Sequence, residues 1–178
     1  MPAFVVSRRL DILGWNRLAT VVFGDWTQLP PGERNVARQV FLSPETRDRF
    51  AEPDRMAAKV AGVLRMNTGK SPDDVQLSSL IRELSQKSEE FRRLWARHEV
   101  SCGTVGQVVR MRHSLVGEFD LVHEPMALPG GARMRLNTYH AEPGSRVRWG
   151  WSAGSTRWTR TSSSPPQVRP TAKASSSE

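Results

Sequence analysis

Three strand-like runs crowd the region from Val105 to His140 of this 178-residue chain, and they limit its fold more than any other feature. Val105 to Arg112, Glu118 to Met126 and Met134 to His140 are separated by turn-forming stretches at Ser114 to Gly117 and at Pro129-Gly130-Gly131. Connections this short join antiparallel neighbours, because a parallel crossover needs a dozen residues or more. In the middle run Phe119, Leu121 and His123 fall on one face, and Glu118, Asp120, Val122 and Glu124 on the other. An antiparallel meander with one apolar face must rest that face against something else.

The rest of the chain supplies the cover. Ala3 to Val6 and Leu10 to Trp15 read as two short strands around a Ser7-Arg8-Arg9 connection. At Asn16 the apolar spacing changes from two to three and four, through Leu18, Ala19, Val22 and Phe23. Asn16 suits an N-cap, because its side-chain oxygen accepts an orphan backbone N–H of the first turn, and Gly24 closes the helix. Helices are predicted next over Glu33 to Phe41 and Glu45 to Phe50, then one capped by Asp54 with Ala57, Val60, Ala61 and Leu64 on its inner face. A loop over Gly69 to Pro72 leads to a helix begun by Asp73-Asp74, whose inner face carries Leu77, Leu80, Ile81 and Leu84. Ser88 caps the last helix, where Phe91, Leu94, Trp95 and His98 recur at helical spacing. The order of two strands, several helices and three strands predicts an α+β fold. Its sheet is antiparallel and five-stranded, with the helical cover lying between strands 2 and 3.

Composition narrows the function class. No run approaches the roughly 18 apolar residues of a membrane span, and the opening segment lacks a secretory pattern. One cysteine, Cys102, excludes an internal disulfide and fits a cytoplasmic setting. The formal charge of +8 points towards nucleic acid only until it is located. Residues 1–145 hold 20 basic and 17 acidic side chains, whereas residues 146–178 hold 6 and 1. The excess sits in a basic, Ser/Thr/Pro-rich tail that composition predicts to be disordered.

Several longer motifs carry a family likeness. LGWNRLA (13–19), LPPGERNVARQVF (29–41), SPDDVQLSSLIRELSQKSEEFRRLWARHEV (71–100), HSLVGEFDL (113–121) and YHAEPGS (139–145) are collinear and spread over about four-fifths of the chain. The element order resembles the PAS sensor fold. Residues 1–145 resemble the ligand-binding domain of MmyB-like bacterial transcription regulators. The resemblance implies a PAS-like domain enclosing an apolar, fatty-acid-like ligand, placed in family members behind a Cro/C1-type (XRE) helix-turn-helix. That head is expected to be missing here, since the likeness begins at about residue 3. The expected partners are an apolar small molecule and a second copy or a full-length relative in a dimer, with no direct DNA binding from residues 1–145. Ser114 stands where the family has proline, His123 replaces an aromatic, and Asn137-Thr138 replace apolar residues. The last two changes make the expected pocket more polar.

Trp15, Phe41, Leu64, Phe91, Trp95 and Phe119 are candidate pocket walls, and each is equally at home in a core; the two readings are compatible. A ligand carboxylate needs a donor, for which His98, Arg93, His113 and Tyr139 are the candidates. The four histidines show no metal-binding spacing, so neither a metal nor another cofactor is expected. Gly150 to Gly154 matches G-x-S-x-G, but neither histidine nor aspartate follows it, so no enzyme is predicted. The helix pair from Asp73 to His98 is a poor DNA reader, because Glu89 and Glu90 open its second helix. Alternatives are a nucleic-acid accessory protein acting through the Arg/Trp tail, or an inactive fragment whose sequence leaves the ancestral reading frame near Gly144-Ser145.

Overall fold

Two hairpin-joined strands open the chain, β1 (Ala3–Val6) and β2 (Ile12–Trp15); β1 begins and β2 ends beside Asn16. The computed structural model describes residues 1–97, 106–114, 116–129 and 134–141, with the backbone of 147–149 and 158–160. Leu10 takes a left-handed conformation (φ 66°), which is why the second strand starts at Ile12 and not at Leu10. Asn16 caps α1 (Arg17–Phe23) as expected: its Oδ1 accepts from the Ala19 N–H at 2.9 Å and from the Ala3 N–H at 3.1 Å. One side chain thus ends the sheet edge and starts the helix. Gly24 closes α1 at φ 108°, a conformation only glycine adopts without strain.

The helical cover follows. After two short 3-10 turns, α2 (Val36–Leu42) is capped by Asn35, whose Oδ1 accepts from the N–H groups of Ala37 and Arg38. It therefore begins three residues later than the pattern at Glu33 suggests. The short α3 (Pro44–Asp48) starts with proline, whose missing N–H costs nothing in a first turn. The long α4 (Pro53–Lys70) also starts with proline; Glu52 holds the cap position, and Asp54 lies in the first turn, paired with Arg47 at 2.6 Å. It runs through Gly69, where a loop was expected. α5 (Val75–Lys87) and α6 (Glu89–Ala96) start at Asp74 and Ser88, each accepting from an N–H three residues on.

The chain then returns to the sheet as β3 (Gln107–His113), β4 (Gly117–Ala127) and β5 (Arg135–His140). The sheet order is β2-β1-β5-β4-β3, every pair antiparallel, so the first hairpin lies beside the last strand. This is the α+β, PAS-like arrangement with its helices between strands 2 and 3. The free edge of β3 is partly covered: Ala51 donates to Arg110, Arg112 donates to Arg49, and Phe50 bridges Met111. Backbone pairing also joins β6 (Val147–Trp149) to β7 (Trp158–Arg160), inside the stretch expected to be irregular. His98, Cys102, Leu115 of the first turn between the last strands, residues 130–133 of the second and the G-x-S-x-G segment lie outside the described residues.

Candidate ligand-binding site

Strand periodicity decides which side chains face the helices. On β5 the residues Arg135, Asn137 and Tyr139 share the inner face; on β4 Phe119, Leu121 and His123 do so, all three buried. Register sets His123 opposite Tyr139 and Phe4 opposite Asn137. Helix α4 lies over this surface with Met56, Lys59, Val60 and Val63 turned towards it, an i, i+3, i+4, i+7 stripe. Between the two layers is a hollow of about 70 Å³, partly open to solvent. Phe4, Val6, Leu10 and Val36 complete its apolar walls.

The polar groups in the hollow form a chain. Lys59 Nζ lies 3.1 Å from His123 Nδ1, and His123 Nε2 lies 2.9 Å from Asn137 Oδ1. The chemistry fixes the proton positions. Asn137 Oδ1 only accepts, so Nε2 carries the hydrogen; Nδ1 is left as an acceptor and takes a hydrogen from Lys59. The imidazole stacks on Tyr139 at 4.8 Å, and Tyr139 stacks in turn on Phe4 at 5.8 Å. Burial, then the Lys59 charge, pushes the His123 pKa down to about 4, against the opposing effect of the hydrogen bond it donates to Asn137. Burial, helped by the charges of Arg55 and Arg135, pushes the Lys59 amine down to about 8. Burial alone keeps the Tyr139 phenol protonated far above its ordinary range. Among the described residues neither Lys59 nor Arg135 pairs with a carboxylate. The hollow is therefore greasy, cationic and short of an anion.

The residues expected to form a site divide among several places. Tyr139 lines the hollow. At the α2–α6 contact Phe41 meets Phe91 edge-on at 5.0 Å and Phe91 stacks on Trp95 at 5.3 Å, with Leu64 fully buried. Arg65 lies over the Trp95 ring at 4.1 Å and donates to the Trp95 carbonyl oxygen. Trp15 meets Trp26 edge-on at 5.7 Å, beneath Arg34. Phe119 is buried on β4, and His113 ends β3, where burial and the Arg49 charge lower its pKa. Arg93 lies in the last turn of α6. His98 is outside the described residues.

Lys59 and Arg135 went unmarked as site residues, and His123 and Asn137 were marked only as polar replacements. For Lys59 a signal existed: a charge set inside the stripe Met56, Val60, Val63. Arg135 offered none, because an arginine opening a strand is ordinarily solvated. A smaller hollow of about 30 Å³, walled by Phe50, Glu52, Arg55 and Val109, shares Met56 and Lys59 with the first.

A small hollow held between a five-stranded antiparallel sheet in this strand order and its helical cover defines a PAS-like ligand-binding domain. The family described as MmyB-like transcription regulator ligand binding domain matches residues 1–149, and the chain belongs to that family. No curated protein matches the chain as a relative. Among the described residues no helix is long and apolar enough to cross a membrane.

Proposed function

We propose that the hollow binds an amphipathic carboxylic acid of the fatty-acid type, its head at Lys59 and Arg135 and its chain along Phe4, Val6, Val60 and Val63. The observation that carries this reading is the Lys59 ammonium at the hollow wall, faced by a neutral histidine and by no carboxylate among the described residues. A half-buried cation without a counter-ion carries a desolvation cost, and a ligand carboxylate offsets it. Size supports a small guest first. An apolar cavity of about 150 Å³ accepts benzene, so 70 Å³ takes a few heavy atoms as it stands. A longer chain needs Met56 to swing, and its unbranched thioether does so readily, joining the two hollows. In a regulator with a DNA-reading head, a ligand that prefers one conformation shifts the population of head arrangements. Such a domain works in the cytoplasm as a binding module and not as an enzyme, without itself contacting DNA, alone or paired with a second copy or a full-length relative.

Calorimetric titration with decanoate and decanol tests the reading. A charge-assisted head contact of about 1.5–3 kcal/mol makes decanoate roughly tenfold to a hundredfold tighter than decanol. Lys59→Met is expected to narrow the gap between the two ligands, with Arg135 keeping part of the preference for decanoate. Equal binding of both ligands by the unaltered chain rules the head assignment out. Affinity for decanoate should also fall as pH rises from about 8, because the free protein then loses the Lys59 charge that the complex keeps.

A further inference from the structure

We propose that Lys59 is a covalent capture site for apolar aldehydes, forming an imine with a carbonyl carbon delivered into the hollow. The inference rests on the reading that the hollow takes an apolar chain, and it adds a reaction to it.

The geometry supplies what imine formation requires. The Lys59 amine stands at the wall of a hollow lined by Phe4, Val6, Val60 and Val63, so an aldehyde with an alkyl tail is drawn to it by burial of that tail. His123 Nδ1 lies 3.1 Å from Nζ and is an acceptor, since the Nε2 hydrogen is committed to Asn137 at 2.9 Å. In the addition step the Nζ lone pair forms a bond to the carbonyl carbon, and the carbonyl oxygen becomes the oxyanion. His123 Nδ1 takes a proton from the nitrogen and returns it to the oxygen, giving the carbinolamine. A second proton passed the same way lets that hydroxyl leave as water while C=N forms. The balance is one amine and one aldehyde giving one imine and one water. The ring position of His123 is fixed by Asn137 on one side and the Tyr139 stack on the other, so the acceptor stays aimed at Nζ.

Burial first, and then the charges around it, favour the neutral form of the amine. Arg55 and Arg135 are the cations nearby, His123 is neutral, and no described carboxylate pairs with Lys59. With the amine near pKa 8, the nucleophilic fraction at pH 7.5 is on the order of a hundredfold above that of an ordinary lysine.

The sequence makes the experiment clean, because the chain has four lysines, Lys59, Lys70, Lys87 and Lys173. The full chain is treated at pH 7.5 with limiting decanal and cyanoborohydride, which reduces the imine to a stable amine, and the adduct is mapped by peptide mass. The expected result is one decyl group per chain, at Lys59, at least tenfold above any other lysine. Saturating decanoate should protect Lys59 from the label. His123→Gln should slow Lys59 labelling severalfold more than it weakens decanoate binding. Label spread evenly over the four lysines and the terminal amine overturns the proposal, as does an unlabelled Lys59 in a chain that binds decanoate. If decanoate and decanol both fail to bind and Lys59 is no more reactive than Lys70, the hollow reading itself falls and takes this one with it.

Discussion

On the face of α4 that meets α6, Phe91 is fully buried, edge-on to Phe41 and stacked on Trp95. On the face that meets the sheet, Lys59, His123 and Asn137 stand where apolar groups would have closed the gap, and a hollow is left. The first interior is filled by aromatic area, the second by a hydrogen-bonded polar chain that cannot collapse without stranding its members. The difference shows how a single helix provides both stability and a candidate site. Rigid packing on one side lets the other side remain partly unfilled.

The largest effect that can break this comparison is the truncation of Phe91. Phe91→Ala should cost about 3–5 kcal/mol, because the filled side has no slack to absorb a cavity. Val63→Ala, which enlarges the existing hollow, should cost clearly less, about 1–2 kcal/mol. Chemical denaturation of both variants checks this, and equal costs would show that the two interiors are packed alike.

Acid sharpens the comparison next. His123 has its pKa lowered to about 4 in the fold, from about 6.5 in the unfolded chain. Between these values the unfolded chain binds the extra proton, so stability falls as pH drops from 6.5 to 4, by about 3 kcal/mol from this group. Above pH 6.5 the contribution is constant. His123→Gln should remove this slope from a plot of unfolding free energy against pH, leaving the slopes of the carboxylates.

The smallest effect belongs to Lys59→Met. Loss of the donor to His123 and relief of a poorly solvated charge oppose one another, so ligand-free stability should change by less than about 1 kcal/mol. A loss as large as that for Phe91→Ala would mean that Lys59 serves the fold and not a ligand.

How much could be read from the chain itself varies from element to element. Asn16 and Ser88 act as helix caps where the sequence places them, since capping depends on residues within three positions, and Asp74 caps the helix that the Asp73-Asp74 pair was expected to begin. The alternation along β4 is equally local, and Phe119, Leu121 and His123 turn inward as expected. The start of α4 was displaced because Pro53 suits the first helical position better than Asp54 suits the cap. Aromatic identity was a poor guide to the hollow. A large ring serves a pocket wall and a packed core equally well, and only contacts distinguish Phe91 in its stack from Tyr139 beside a void.

Local order along the chain determined the elements, their inner faces and the family likeness, because backbone periodicity and caps act over a few residues. The Lys59–His123–Asn137 chain was decided by tertiary structure alone. Its members are 64 and 14 residues apart, and they meet only when β5 pairs with β4 and α4 is laid across both. Burial is what then changes their chemistry, and burial belongs to the assembled layers and to no single segment.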